Sequence, residues 1–271
     1  MMLKINNIKK TFNPNTPDEV KALQGVSLNI EQSSFVIVIG TNGSGKSTLL
    51  NAIAGSFFID EGEINLSGFD ITKWHEHKRA KLIGRVFQNP FSGTAPSMSI
   101  AENLALASLR GKTRGLSWAL KPGLIKKFKD RIRKLNMGLE DRLSNPIGSL
   151  SGGQRQALTL LMSAWIEPKL LLLDEHTAAL DPKTAEKVIF LTGEIVNEKN
   201  LTTLMVTHSM QQAVNLGDRL IMMHRGKIIY DFSGSEKKRL RVNDLLERFE
   251  EVRRMERLDE STAKILSEQY V

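Results

Sequence analysis

A glycine-rich segment near the N-terminus has the residue types and spacing of a phosphate-binding loop. Residues 40–47 read GTNGSGKS and match the pattern G-x-x-x-x-G-K-[ST] in full. In such a loop, glycines let successive backbone N–H groups converge on phosphate oxygens, and the helix that follows adds the partial positive charge of its N-terminus. Lys46 would reach the β- and γ-phosphates, and the Ser47 hydroxyl would ligate Mg²⁺. The candidate phosphate ligands are Asn42, Gly43, Ser44, Gly45, Lys46, Ser47 and Thr48.

Two adjacent carboxylates follow an apolar run in the second half of the chain. Residues 170–173 are four consecutive leucines, which predicts a strand buried on both faces of a sheet. Asp174 comes at the carboxyl end of that strand, where ligands bind in open α/β sheets, and we expect it to hold Mg²⁺ directly or through water. Glu175 is then placed to act as the general base for attack of water on a γ-phosphate.

The segments around these residues predict a sheet in which strands alternate with helices. Residues 35–39 form a β-branched and aromatic run directly before the glycine-rich loop, and residues 47–54 have a helical pattern that ends at Gly55. From about residue 89 to residue 166 the pattern is helical, with prolines punctuating it. Strands are also predicted over 3–12, 20–31 and 202–207, with a hairpin over 218–231. This alternation is typical of an α/β fold with a largely parallel sheet covered by helices.

The composition is that of a folded globular protein and excludes some kinds of site. Of the 271 residues, 41% are hydrophobic and 25% are charged, which is too apolar a balance for a disordered chain. The sequence has no cysteine, which excludes disulfides, thiolate zinc sites and iron–sulfur clusters. The apolar segment 157–166 is well short of the roughly 18 residues that a membrane span needs, and the N-terminus lacks the apolar block of a signal peptide. We therefore expect a cytosolic protein.

Positive charge is concentrated in one block rather than spread along the chain. Lysine and arginine outnumber aspartate and glutamate 38 to 30, a formal net charge of +8. Residues 110–134, here called the basic block, contain ten basic residues and one acid, so they carry +9 and the rest of the chain about −1. Such a block suits a surface facing anionic lipid headgroups, a nucleic-acid contact or an ordinary solvated helix face.

Residues 150–154 read LSGGQ, and with this segment, here called the signature, the sequence resembles the ATP-binding cassette (ABC) family. Ser151 followed by two glycines offers a hydroxyl and bare backbone N–H groups at a helix start, which is a second anion site. The resemblance implies that the signature serves the γ-phosphate bound to a second copy, so that two chains sandwich two ATP molecules. The signature residues that would contact this nucleotide are Ser151, Gly152, Gly153 and Gln154.

The resemblance also implies the division of the chain. It covers about residues 3–235 and implies a P-loop NTPase core of the ABC type with an N-terminal antiparallel β-subdomain and an inserted α-helical subdomain at about 89–165. The nucleotide-binding domain would then occupy 1–235, and 236–271 would be a tail. In the tail the apolar residues at 245, 249, 252 and 255 share one helical face, which predicts an amphipathic helix that packs or dimerises.

Four further positions match the family's functional residues one at a time. Gln88 matches the glutamine that touches Mg²⁺ and senses the membrane partner, and His208 matches the histidine that contacts the γ-phosphate. Asp181 lies in a segment resembling the one that crosses the dimer interface, and Phe12 stands where an aromatic ring stacks on adenine. The resemblance thus makes Glu175, His208, Lys46 and Gln88 the catalytic set, and Ser47, Gln88 and Asp174 the Mg²⁺ ligands.

The sequence departs from the family in two places. His176 follows the paired carboxylates where relatives most often have proline, which puts a second titratable group beside the expected base. Ala157 and Met162 stand where relatives usually carry arginines, so packing between the helical subdomain and the core is expected to differ.

The implied function is that of the ATP-binding and ATP-hydrolysing subunit of a bacterial transporter, with ATP and Mg²⁺ as cofactors, at the cytoplasmic face of the cell membrane. The expected partners are a second copy of the chain, integral membrane permease subunits and an extracytoplasmic substrate-binding protein. Residues 173–181 and 205–208 look like those of importer subunits, some of them assigned to tryptophan and tyrosine.

Two alternatives stay open: an ABC ATPase without a membrane partner, as in iron–sulfur cluster assembly, and an exporter or lipoprotein-extraction ATPase. A nucleic-acid partner is not expected, because repair types insert long coiled coils and translation types carry two cassettes.

Overall fold

The computed structural model describes residues 1–112, 120, 122–252 and 254. Its strands are β1 (Leu3–Phe12), β2 (Val20–Ile30), β3 (Phe35–Gly40), β4 (Glu61–Leu66), β5 (Phe69–Asp70), β6 (Ile83–Val86), β7 (Leu170–Asp174), β8 (Thr203–Val206), β9 (Arg219–His224) and β10 (Lys227–Ser233). Its helices are α1 (Lys46–Ala54), α2 (Glu76–Arg79), α3 (Ile100–Ser108), α4 (Pro122–Arg133), α5 (Gly152–Ser163), α6 (Pro182–Glu198), α7 (Met210–Asn215) and α8 (Gly234–Arg239). A C-terminal helix covers residues 242–252. None of the helices in the described ranges is long and apolar enough to cross a membrane.

The larger sheet is buried on both faces. Its strands lie in the order β10-β9-β3-β8-β7-β6, with β9 to β6 parallel and β10 antiparallel at one edge. Successive side chains of a strand point to opposite faces, and in β3 Val36 and Val38 join one apolar core while Ile37 and Ile39 join the other. The four leucines of β7 divide between the two cores in the same way. Because β3, β7 and β8 are parallel, their carboxyl ends lie at the same end of the sheet.

An antiparallel sheet and helix α1 cover one face of this larger sheet. The strands of the antiparallel sheet lie in the order β2-β1-β4-β5. Apolar side chains of β1, including Leu3 and Ile5, pack in the same core as Leu49 and Leu50 of α1. The N-terminal strands therefore hold the helix that follows the glycine-rich loop.

Helices α3 to α6 cover the other face. Leu104 of α3, Phe128 and Ile132 of α4 and Leu158 of α5 are buried in the second core. A capping box begins α3, in which the Ser99 hydroxyl accepts from the Glu102 backbone N–H. Of these, α3, α4 and α5 lie within the segment predicted to be helical from about residue 89 to residue 166, and α6 lies beyond it.

Part of the basic block is engaged with the rest of the chain. Lys129 pairs with Asp141 at 3.2 Å, and the guanidinium of Arg131 stacks on the Trp165 ring, 4.1 Å from its centroid. Lys126 and Lys127 are exposed and make no ion pair in the part of the chain that the structure describes. Of the block's basic residues, Arg114 and Lys121 lie outside the described residues.

The C-terminal helix packs on the second core. Leu245 and Val252 are buried, and Phe249 packs against the same cluster. The fourth residue predicted for this apolar face, Met255, lies outside the described residues. The domain boundary at residue 235 remains a prediction.

Candidate active site

The glycine-rich loop joins β3 to α1 and is held from both sides by backbone. A Cβ on Gly45, where φ is +97°, would lie 2.5 Å from the Ala22 carbonyl oxygen, and one on Gly40 would lie 2.2 Å from the Met223 carbonyl oxygen. The Gly226 N–H donates to the Ser44 carbonyl at 3.0 Å. Since β2, β9 and the β9–β10 turn supply these contacts, the loop conformation requires glycine at both positions.

The N-terminus of α1 is open to an anion. Gly45 precedes the helix and supplies no side-chain cap, whereas Ser151 caps α5 and Asp181 caps α6. The first N–H groups of a helix have no intrahelical acceptor, so those of α1 stay available to a ligand. The Ser44 hydroxyl is buried and has no hydrogen-bond partner among the described residues. An uncapped helix start beside an orphaned hydroxyl fits a bound phosphate group.

Lys46 points its ammonium back into the loop. Its Nζ donates to the carbonyl oxygens of Gly40 at 3.0 Å and Thr41 at 2.9 Å. Burial lowers the pKa of Lys46, and the carboxylates of Glu175 and Asp174 oppose that shift. The lysine is therefore a desolvated cation at the loop that would bind the phosphates.

Ser47 and Asp174 meet across the cleft between α1 and β7. The Ser47 Oγ donates to Asp174 Oδ1 at 3.3 Å. Burial raises the pKa of Asp174, while Arg85, whose Nη2 lies 3.8 Å from Asp174 Oδ2, lowers it. No group of three or more acidic, histidine or cysteine side chains in the described residues is arranged to hold a metal alone. One hydroxyl and one carboxylate suit Mg²⁺, which takes few protein ligands and completes its shell with phosphates and water.

The Glu175 carboxylate is held between Gln88 and His208. Gln88 Nε2 donates to Glu175 Oε2 at 3.1 Å, and His208 Nε2 lies 2.6 Å from Glu175 Oε1. Glu175 has φ of +44°, an unusual conformation for a non-glycine residue, and its N–H donates to the Val206 carbonyl at 3.0 Å. The three residues come from the ends of β6, β7 and β8, so the parallel sheet order brings them together. The link from His208 to Glu175 was not part of the sequence prediction.

His176 turns away from the cleft and into the protein interior. Its side chain is 1% exposed, and its Nε2 lies 3.0 Å from Thr192 Oγ1. The Thr192 hydroxyl already donates to the Val188 carbonyl, so it accepts from His176, whose Nε2 must carry the proton. Burial lowers the pKa of His176 to about 4. The imidazole is therefore neutral near pH 7 and anchors the residue after Glu175 to α6.

The signature forms the start of α5, away from the glycine-rich loop. The Ser151 hydroxyl accepts from the Gln154 N–H at 3.3 Å, and Gln154 Nε2 donates to the Met137 carbonyl at 3.3 Å. Gly153 is pressed against α6, because a Cβ there would lie 2.0 Å from Thr184 Cγ2. No hydrogen bond or ion pair within the described part of the chain joins the signature to the glycine-rich loop of the same copy.

Asp181 and Phe12, two of the remaining predicted residues, have clear local roles. Asp181 accepts from the Thr184 N–H at 3.1 Å and caps α6, and these hydrogen bonds lower its pKa. The Phe12 ring packs edge-on against Phe57 with centroids 5.2 Å apart, and Lys10 Nζ lies 5.6 Å from both rings. Contact of Phe12 with adenine remains a prediction.

Two neighbours of the site were missed from the sequence. Arg85 of β6 reaches Asp174. The sequence feature that could have indicated it is a single arginine three residues before Gln88. The C-terminal helix lines a pocket of about 490 Å³ with Leu246 and Phe249, opposite Thr41 and His208. The apolar pattern of the tail predicts a helix but does not predict which part of the core this helix contacts.

Known proteins match the chain in sequence and in structure. Residues 23–178 match the protein family described as ABC transporter. The chain is 47% identical over 250 residues to a tyrosine transport ATP-binding protein of Clostridioides difficile, covering 92% of this chain and 99% of the relative. It is 33% identical over 243 residues to the energy-coupling factor transporter ATP-binding protein EcfA2 of Clostridium tetani, covering 87% and 80%.

A solved structure shares the fold and carries nucleotide. It is the dimeric post-hydrolysis state of the ATP-binding cassette MJ0796 bound to ADP and Pi, with a TM-score of 0.74 and 29% identity over 86% of this chain and 98% of that one. The predicted α/β fold of the ABC type and the predicted ATP hydrolase activity are thereby confirmed. The chain belongs to the ABC transporter family, as one of its ATP-binding, ATP-hydrolysing subunits.

Proposed function

We propose that two copies of this chain sandwich two ATP·Mg²⁺ and drive import of a small solute through separate membrane subunits. The observation that carries the proposal is the Glu175 carboxylate, which is fixed by Gln88 and His208 beside the Ser47–Asp174 pair. The relative named for tyrosine transport supports an aromatic amino acid as the solute.

In this proposal Glu175 orients and deprotonates the attacking water. A carboxylate oxygen has two lone pairs, so each oxygen of Glu175 still accepts a water proton while bound to Gln88 or His208. The water oxygen bonds to the γ-phosphorus, the bond to the bridging oxygen breaks, and ADP leaves with that electron pair. Lys46 and the α1 N-terminus stabilise the charge on the phosphate oxygens. Ser47 and Asp174 would hold the Mg²⁺, which neutralises the developing charge on the β- and γ-phosphates.

The proposed dimer rests on the lack of a hydrogen bond between the two anion sites of one copy. The signature makes no hydrogen bond to the glycine-rich loop of its own copy within the described residues, and both Ser151 and Gly152 are exposed. A second copy would bring its Ser151 hydroxyl and α5 N-terminus to the γ-phosphate held at Lys46. The relative solved as a dimer bound to ADP and Pi supports a dimer of this chain.

Size-exclusion chromatography of Glu175→Gln tests the sandwich. This variant keeps the phosphate and Mg²⁺ contacts, so we expect a dimer in ATP and a monomer in ADP. Adding Ser151→Arg should abolish the dimer, because the long side chain would fill the γ-phosphate site of the partner. Ser235→Arg in α8 makes the same exchange at an exposed serine outside the signature and should leave the dimer intact. A Glu175→Gln chain that stays monomeric in ATP would argue against the sandwich.

A groove beside Gln88 suits a segment of the membrane subunit. It has a volume of about 460 Å³ and lies between the β6 end and helices α3 and α5, with Phe87, Leu106 and Met162 in its wall. Leu106 is 39% exposed, and Met162 stands where relatives usually carry arginine. Glu76, Arg85 and Arg110 also line the groove, so an amphipathic helix from an integral membrane permease fits it, which would place the chain at the cytoplasmic face of the membrane. An extracytoplasmic substrate-binding protein would complete such an importer.

Affinity purification from detergent-solubilised membranes tests this partnership. We expect an integral membrane protein to copurify in stoichiometric amount with the wild-type chain. Leu106→Arg places a charge on the apolar wall of the groove and should no longer copurify the membrane protein. Leu246→Arg, outside the groove, should still copurify it. Recovery of the chain without any membrane protein would favour the alternative of an ABC ATPase without a membrane partner.

A further inference from the structure

Arg85 links the carboxylate expected to hold Mg²⁺ to the helix that follows the glycine-rich loop. Its Nη2 lies 3.8 Å from Asp174 Oδ2 and donates to Asn51 Oδ1 at 2.5 Å, while Nη1 donates to Ser56 Oγ at 3.1 Å. The guanidinium also stacks on the Phe87 ring, 4.4 Å from its centroid. These contacts fix one positive charge beside Asp174.

The placement of Arg85 follows from strand register. Arg85 pairs with Leu172 in the parallel ladder of β6 and β7, two residues before Asp174. The side chains of Arg85 and Asp174 are only 12% and 13% exposed, so water screens their interaction weakly. Of the other charged groups, Glu76 acts on Arg85 from α2, and Lys46 and Glu175 act on Asp174 from within the site.

We propose that Arg85 is a positioning residue that holds Asp174 while Mg²⁺ is absent and weakens Mg²⁺ binding by competing for the same carboxylate. The proposal rests on the proposed role of Asp174 as a Mg²⁺ ligand. A guanidinium and a dication near one carboxylate repel each other, so the arginine raises the Mg²⁺ concentration that the site requires. The same contact keeps the carboxylate oriented toward Ser47, whose hydroxyl bonds its other oxygen.

Neutralising Arg85 should therefore strengthen Mg²⁺ binding. A unit charge about 6 Å from a dication changes its affinity by about 10-fold even with the screening of bulk water, and by more in a poorly screened site. Arg85→Gln keeps a polar amide on a shorter side chain but lacks the charge, and Arg85→Lys keeps the charge. We expect the glutamine variant to bind Mg²⁺ more tightly by that factor and the lysine variant to stay within about 2-fold of the wild type. Damage to the fold would weaken binding, which is the opposite sign.

The test is a Mn²⁺ and Mg²⁺ titration of the full chain loaded one-to-one with a non-hydrolysable ATP analogue. Electron paramagnetic resonance of free Mn²⁺ reads metal binding directly, and Mg²⁺ competition gives its affinity without turnover. Arg110→Met is the matched control, because Arg110 lines the same groove but donates to the Ser163 carbonyl at 2.8 Å instead of contacting Asp174. Its Mg²⁺ affinity should equal that of the wild type.

Two results would overturn the inference. Unchanged or weaker Mg²⁺ binding by Arg85→Gln would show that the arginine does not compete with the metal. An equal gain in Arg110→Met would attribute the effect to the groove instead of to Asp174. Asp174→Asn separates this inference from the proposed function: if it leaves Mg²⁺ affinity unchanged, Asp174 is not the metal ligand and the proposed role itself fails.

Discussion

His176 should make the folded chain sensitive to acid, and His176→Gln should remove that sensitivity. The imidazole is buried, donates from Nε2 to Thr192 and has its pKa lowered to about 4. The glutamine Nε2 lies at the same distance along the side chain and keeps the donor, but it does not titrate. The substitution therefore removes the proton-binding group while retaining the anchor to α6.

The magnitude follows from proton linkage. As pH falls, the unfolded chain protonates at the ordinary pKa of 6.5, while the folded chain resists until about pH 4. The unfolded state binds more protons in this window, so the free energy of unfolding falls as pH falls from 6.5 toward 4. Between pH 7.5 and pH 5 the loss from this one histidine is about 2 kcal/mol. Between these two pH values, the unfolding free energy of His176→Gln should therefore fall by about 2 kcal/mol less than that of the wild type.

Urea unfolding at pH 7.5 and pH 5, followed by circular dichroism, measures the difference. The quantity compared is the change in unfolding free energy between the two pH values, wild type against variant, so that other titrating groups cancel. His77→Gln makes the same exchange at an exposed histidine of α2 and serves as the matched control. Equal pH dependence in wild type and His176→Gln would refute the buried neutral imidazole.

Other substitutions test the buried Arg79, the proposed nucleotide contacts and the basic block. Arg79 is buried and donates to four backbone carbonyls, so Arg79→Met should lower the unfolding free energy by about 2–4 kcal/mol in chemical denaturation. His208→Ala should leave ATP affinity nearly intact and reduce turnover, because His208 contacts the carboxylate of Glu175. Phe12→Ala should raise the KM for ATP with less effect on the maximal rate. Reversing Lys126 and Lys127 to glutamate should weaken flotation with anionic vesicles in a salt-sensitive way, at about 1 kcal/mol per charge.

Each of these has a control or a contrary result. Lys4→Glu with Lys238→Glu makes the same charge change at exposed lysines outside the basic block and should not alter flotation. If the Lys126→Glu, Lys127→Glu variant floats like the wild type at low ionic strength, the basic block is an ordinary solvated helix face. If the His208 and Phe12 variants were both impaired in ATP binding alone, their assigned roles would be wrong. If Arg79→Met were as stable as the wild type, the buried hydrogen bonds of Arg79 would not stabilise the fold.

The elements with strong local patterns were predictable from the sequence. The apolar run 35–39, the glycine-rich loop and the four leucines of β7 specify buried strands and a helix start by residue type alone, and the structure has β3, α1 and β7 there. Strands β4 and β6 were not predicted. Residues 83–86 read IGRV, where a glycine and an arginine hide a strand whose pairing with β7 is set by tertiary packing.

The site was predictable as a set of residues but not as a set of contacts. Motif spacing identifies Lys46, Ser47, Asp174 and Glu175, since each follows a strand or begins a helix. It does not say that His208 lies against Glu175, because that contact depends on β8 standing beside β7. The burial of His176 and the reach of Arg85 likewise depend on neighbours distant in sequence.

The single-turnover rate of phosphate release tests the central claim most directly. Glu175→Gln retains the size and reach of the side chain, but it replaces one acceptor oxygen by an NH2 group and lacks the basic charge. If Glu175 deprotonates the attacking water, release should slow by about 10²- to 10⁴-fold, the usual worth of a positioned general base, while ATP affinity stays within a few-fold of the wild type. Phosphate release from Glu175→Gln at the wild-type rate would remove Glu175 from the mechanism.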